Sequence, residues 1–387
     1  MAKRDILPLT GLRGVAALWV AAYHLVLPAG LVGGVAARAL GRGYLAVDLF
    51  FVLSGFVMAL TYGDQFTVLR PFRAWPGFVW RRWARIFPLY GVLLIGRLLY
   101  TQARYGTFDL PRPWIAVPLA HPWSAIPANL LLVQAWGLAP SVIGPAWSIS
   151  TEFAAYLLLP LLAIAILHRG WRVCLAAVAF GLGAVVAASA LNGSLDCWDS
   201  RSLIPLIRCL GGFYLGMAAW RLSRWAPAAR LAGRRWCGRL VWAALALALA
   251  AGAPDLAIYP LLPTLILCLA SGRSGWLGGG VAVWLGEISY ALYLLHIFLL
   301  HPFDQARAAA ALVLPAPACD LAAFAAIFTL LIAASDLAHR CVERPLRAHL
   351  TDKSFLVLFF KKGLLPSLPS AAHAARTPYT HLAGHGP

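Results

Sequence analysis

Charge is what this chain has least of. Asp, Glu, Lys and Arg make up only 12% of its 387 residues and hydrophobic residues 61%, whereas an ordinary soluble domain is about a quarter charged. Water is therefore the wrong solvent for most of it. Long polar stretches are also missing, which leaves no room for a soluble domain between the apolar runs. The seven cysteines (174, 197, 209, 237, 268, 319 and 341) include no C-x-x-C and no His/Cys cluster with zinc spacing, so no metal site is expected. Cys197 and Cys319 both fall in predicted outer loops, an arrangement that allows a bridge between them. The absence of an internal repeat counts against a transporter built from duplicated halves. Gly278–Gly280 is not followed by the Gly-Lys-Ser/Thr of a phosphate loop, so it is given no nucleotide role.

What the chain has instead is a series of apolar runs long enough to cross a hydrocarbon layer at about 1.5 Å per residue. Spans are predicted at 8–27, 44–62, 84–101, 149–167, 172–191, 205–222, 239–253, 256–271, 281–300 and 320–338. The fold class is all-α: a polytopic membrane protein of about ten helices. The first run carries Arg13 and His24, lacks a small-residue cleavage site and is followed by further spans, so it reads as helix one and not as a removed signal peptide. Ile126–Gly137 is too short to cross and is read as interfacial or re-entrant.

The net charge of +18 is spread over short loops and forms no single stripe, so nucleic acid is not an expected partner. Topology explains it better. Ten spans put 23 Lys and Arg on the side of the N-terminus and seven on the other, with Arg13 and Arg208 inside spans. Basic residues are retained in the cytoplasm, so both termini are expected there. Residues 1–350 form the membrane domain; 351–387 are expected to be an interfacial or disordered tail. Gly212-x-x-x-Gly216 suits close helix packing.

Ionisable groups inside a membrane are expensive and each needs an account. Arg13 and His24 are eleven helical steps apart, which puts them within about 20° of one stripe and about 16 Å apart along the axis. His24 falls near the outer end, and Asp48 and Glu152 are expected at a similar depth. A neutral imidazole takes a proton from a hydroxyl, and a carboxylate stabilises the imidazolium that forms. On the inner side Arg82 and Arg85 share a helical face and, with Arg13, suit the phosphates of a donor. His296 and Tyr293 share a face near the outer half of their span, a place for a second proton carrier or an acceptor contact. Glu343-Arg344-Pro345 is expected to end the last helix. Interhelical hydrogen bonding alone would also account for the polar groups, and a transporter or flippase of a glycan or small solute is the alternative from residues alone.

The motifs, taken in order, resemble acyltransferase family 3. Arg13 through His24 is similar to that family's first-helix Arg-x10-His signature, and Gly43–Phe56 to its second-helix motif. Arg82-x-x-Arg85 with Pro88 resembles its Arg-x-x-Arg element. Trp147-Ser148-Ile149-Ser150-Thr151-Glu152 resembles its Trp-Ser-Leu-Ser-x-Glu box, with Thr151 and Phe153 departing from the common residues. Leu285–His296 with Glu343-Arg344-Pro345 is similar to its C-terminal signature. The match runs across residues 12–345, in the stand-alone form without a fused hydrolase-like domain. The resemblance implies a bacterial inner-membrane O-acyltransferase with no permanently bound cofactor. Its co-substrate would be cytoplasmic acyl-CoA, acetyl-CoA above all, and its acceptor a carbohydrate or glycolipid of the envelope or a secreted polysaccharide. The site residues expected are His24, Asp48 and Glu152 for catalysis and Arg13, Arg82 and Arg85 for the donor. Trp147, Ser148, Tyr293 and His296 are expected beside the substrate.

Overall fold

A backbone in hydrocarbon must satisfy its own hydrogen bonds, and helices do so within one segment. In a computed structural model, which describes residues 6–66, 72, 74–105, 122–271, 275–315 and 317–352, the regular elements are all helical. The long ones are α1 (Leu7–Leu25), α3 (Leu45–Tyr62), α4 (Trp75–Tyr105), α6 (Ala146–Leu167), α7 (Trp171–Asn192), α8 (Ile204–Ser223), α10 (Arg235–Ala251) and α16 (Ala318–Ala338). Shorter pieces connect them: α2 (Gly34–Leu40), α5 (Pro122–Leu130), α9 (Ala226–Ala232), α11 (Asp255–Ile258), α12 (Leu261–Ser271), α13 (Gly280–Glu287), α14 (Ser289–Leu295), α15 (Leu300–Ala310) and α17 (Arg344–Thr351). Most of the expected tail, and Arg70 and Arg73 in the expected inner loop, lie outside the described residues.

Five of these segments are long and apolar enough to cross a membrane, and the pair α13 and α14–α15, bent by 54°, makes six. The chain is therefore an all-α protein with the helices of a polytopic membrane protein. The other predicted spans are present as helices, but α1 and α8 carry Arg13 and Arg208, and α10 and α12 are only 17 and 11 residues long. Ile126–Gly137 forms the end of α5 and a run of turns, with Asn129 buried and its side-chain amide donating to the carbonyls of Ala125 and Pro140 at 2.9 Å each.

Three expectations need correction. Cys197 and Cys319 are both free; the Cys197 sulfur instead lies 3.9 Å from Arg208 Nη1. The third span begins nine residues before the predicted 84, at Trp75, because charge limits burial in lipid but does not stop a helix. Pro345 does not end the last helix. The helix instead runs through a π-helical turn at His339–Glu343 into α17, with Pro345 as its second residue; such a local π adjustment lets a helix continue past a proline's missing N–H.

The core centres on α3, which packs against α1, α6, α8 and α12. Glycines set how closely it meets α8: a Cβ on Gly55 would lie 2.1 Å from the Phe213 carbonyl oxygen, and one on Gly216 2.0 Å from that of Val52. Backbone touches backbone there, as small-residue spacing allows.

Candidate active site

The helices that meet around α3 leave a cavity between them. α1 contributes Arg13, α4 Arg82 and Arg85, α3 Ser54, α6 Ser148, Glu152 and Tyr156, and α14 Tyr290 and Tyr293. Less than one turn of α4 separates Arg82 from Arg85, so both line the cavity that Arg13 also lines, as their three-residue spacing predicts.

The arginine end is electrostatically open. Among the described residues none of Arg13, Arg82 and Arg85 forms an ion pair. Arg82 Nη2 donates to the Tyr62 hydroxyl at 3.1 Å, while its Nε is buried without a protein partner. The Arg82 guanidinium also lies 5.3 Å from the Tyr62 ring and 5.9 Å from the Tyr156 ring, a stacking geometry that holds the cation without neutralising it. Three cations converge on a cavity whose carboxylate, Glu152, makes no ion pair with them, an arrangement suited to a polyanion.

Glu152 belongs to this chamber. Ser54 and Tyr156 both donate to its Oε1, and no bond joins it to His24. Ser148 and the Tyr293 hydroxyl meet at 2.8 Å at the other end, where Tyr293 also donates to the Pro145 carbonyl at 3.1 Å. His24 does not line the cavity. Tyr293 is the side chain between: it lines the cavity and its ring centroid is 5.8 Å from that of His296, which is 5.0 Å from that of His24.

His24 Nδ1 lies 3.0 Å from the Val20 carbonyl oxygen. A carbonyl only accepts, so the neutral ring carries its proton on Nδ1 and keeps the lone pair on Nε2. His296 is wholly buried and neither of its ring nitrogens has a protein partner. The side chain next to His24, Tyr23, packs edge-on to it at 4.8 Å and donates to Asp196 Oδ2 at 2.9 Å.

Asp48 is elsewhere. Its two oxygens accept from Arg208 Nε at 2.9 Å and Nη2 at 2.6 Å, with both side chains essentially unexposed. Arg208 also donates to the carbonyls of Tyr44 and Cys197, and lies 5.4 Å from the Trp147 ring. Trp147 therefore buttresses this ion pair. The expected grouping of His24 with Asp48 and Glu152 is thus resolved into three places: the histidine pair, the Asp48–Arg208 bridge and the Glu152 chamber. Sequence reasoning assigned no role to Arg208, Tyr156 or Asp196. An arginine four residues into a predicted span, at the expected depth of Asp48, was the available signal for the first.

The comparisons agree with the motif order. The acyltransferase domain model of acyltransferase family 3 matches residues 7–336. The chain belongs to that family. It is 30% identical over 334 residues to acyltransferase MdmB of Streptomyces mycarofaciens, covering 76% of this chain and 78% of that protein. It is 34% identical over 160 residues to protein 2 in the picA locus of Rhizobium radiobacter, covering 37% of this chain and 75% of that protein. No solved structure matches. This is a membrane acyltransferase of family 3, and the site is read as one.

Proposed function

We propose that the protein moves an acyl group, acetyl in the first instance, from acyl-CoA to a hydroxyl of a carbohydrate acceptor such as a cell-surface or secreted polysaccharide. The observation that carries this reading is the convergence of Arg13, Arg82 and Arg85 on one cavity without an ion pair among the described residues. Phosphates of the donor would meet these guanidiniums, and the pantetheine arm would run past Glu152 toward Tyr293. His24 Nε2 takes the proton of the acceptor hydroxyl as its oxygen attacks the thioester carbonyl. The carbon–sulfur bond breaks, and the imidazolium returns the proton to the departing thiolate. The thioester would pass Tyr293 and His296 on its way to His24, since Tyr293 lines the cavity and packs on His296, which packs on His24.

The ten-span topology with cytoplasmic termini belongs to the same proposal, and puts the arginines inside and His24 outside in a bacterial inner membrane. A cysteine introduced by Arg73→Cys should react only from the cytoplasmic face; reaction from outside would remove the donor's access. The function itself is tested with the purified protein in liposomes, labelled acetyl-CoA and a set of glycans. Formation of an O-acyl ester is expected. Movement of solute with no covalent product would overturn it.

A further inference from the structure

The side chains that α6 sends into the cavity form a ladder. Ser148, Glu152 and Tyr156 all line it and follow one another at four-residue spacing, so they share a helical face and span about 12 Å along the axis. The two ends of the ladder differ. At one, the Arg82 guanidinium lies 5.9 Å from the Tyr156 ring; at the other, Ser148 meets the Tyr293 hydroxyl at 2.8 Å, and Tyr293 packs on His296. Glu152 is the rung between them.

The two oxygens of Glu152 are used unequally. Ser54 and Tyr156 both donate to Oε1, and among the described residues nothing donates to Oε2. The residue lines the cavity, is only partly buried and forms no ion pair with Arg13, Arg82 or Arg85. A carboxylate removed from water is costly until its oxygens are met, and it only accepts, so a ligand that completes it must bring an N–H or O–H. Phosphate would be repelled at this rung, so the part of the donor that lies here is uncharged. Between its phosphates and its thioester an acyl-CoA carries one hydroxyl close to the phosphates and two amide N–H groups farther along. The amides are the donors that fall midway between Arg82 and Tyr293.

We propose that Glu152 Oε2 accepts an amide N–H of the pantetheine arm and so sets how far the thioester reaches toward Tyr293. The inference rests on the acyl-CoA reading and gives Glu152 the task of positioning the donor instead of moving a proton.

The test measures binding of radiolabelled acetyl-CoA to the full chain in detergent, with no acceptor present, and its displacement by two acetyl-CoA analogues in which one or the other amide N–H is replaced by CH2. In the wild type one of the two replacements should weaken binding about 10- to 100-fold, as for the loss of a hydrogen bond to a charged group. Glu152→Gln keeps an acceptor for Ser54 and Tyr156 but turns an NH2 group toward the cavity in place of Oε2. It should therefore weaken acetyl-CoA by the same order and bind that analogue no worse than acetyl-CoA. Arg82→Ala should weaken acetyl-CoA and both analogues by a common factor, so that the preference for the intact amide survives. Unchanged acetyl-CoA affinity in a folded Glu152→Gln, as expected of a group that only moves protons, would overturn the proposal. A wild type indifferent to both replacements would also overturn it, and in either case the donor reading stands. A wild type that does not bind acetyl-CoA would overturn the acyl-CoA reading, and the proposal with it.

Discussion

Arg208 and the trio of Arg13, Arg82 and Arg85 are the same side chain put to opposite uses. Arg208 is wholly buried, takes both oxygens of Asp48 and donates to two carbonyls, so its charge is consumed within the protein. The trio faces a cavity with its charge unspent. Burial alone does not separate a structural arginine from a ligand-binding one; the presence of a carboxylate partner does.

The largest effect expected from breaking this contrast is at Asp48. Asp48→Asn leaves Arg208 charged and buried without its counter-ion, which typically destabilises by about 3–5 kcal/mol. Unfolding in detergent should show this, with the acetyl-CoA KM of the folded protein unchanged. Asp48→Asn combined with Arg208→Gln should regain much of the stability, since no unpaired charge then remains. A stable Asp48→Asn variant that had lost turnover would instead place Asp48 in the chemistry.

His24→Gln comes next. It retains polarity but cannot take a proton, and general-base help is worth about 10²–10⁴-fold in rate, so turnover should fall by that order while acetyl-CoA still binds. Wild-type turnover in a purified assay would make His24 a structural hydrogen-bonding group.

These two variants also show what could be read from the sequence. Hydropathy placed the second span at 44–62 against an observed Leu45–Tyr62, because apolar length is a property of the local chain. The motif Arg82-x-x-Arg85 was likewise legible, since helical spacing alone decides that both side chains share a face. The partner of a charge is not local. Asp48 and Arg208 lie 160 residues apart in the chain, and the depth expected from the predicted spans puts Asp48 level with both His24 and Arg208. Only the rotation of α3 against α8 decides between them, and this rotation is set by glycines whose contacts are between backbones. Gly14 and Gly286 illustrate the same point. Their places in two recognised motifs reflect the close approach of α1 and α13, where a Cβ on Gly286 would lie 1.9 Å from the Thr10 carbonyl oxygen. The break at Ile288, where Ser289 Oγ donates back to the Gly286 carbonyl at 2.7 Å, was also not visible in a hydropathy window covering 281–300.

A smaller effect is expected at the trio itself. Arg82→Ala and Arg85→Ala each remove charge that the proposed donor's phosphates would meet and leave the histidines untouched, so the acetyl-CoA KM should rise about 10-fold or more with turnover at saturation largely kept. Neither had an ion pair to lose, so the melting temperature should move far less than in Asp48→Asn. An unchanged KM in both variants would return these arginines to membrane topology alone.

The smallest effect belongs to an arginine that is neither buried nor converging. Arg201 meets Asp199 at 3.2 Å in the loop between α7 and α8, with the two side chains 53% and 48% exposed. Burial works to raise the Asp199 carboxyl, but hydrogen bonds from the Arg201 side chain and backbone, with its charge, outweigh it and hold the group below its ordinary value. A depressed carboxyl stabilises the fold above its unfolded value and loses this contribution as the pH falls through its folded one. At neutral pH the pair is therefore fully formed, yet water screens both partners and such exposed pairs contribute about 0–1 kcal/mol. Arg201→Ala should leave acetyl-CoA KM and turnover unchanged and alter detergent unfolding only marginally, with any difference from wild type vanishing in acid as Asp199 takes up its proton. A loss of stability at neutral pH as large as that of Asp48→Asn would mean that exposure and pairing do not sort the arginines of this protein, and the distinction drawn for the trio would fall with it.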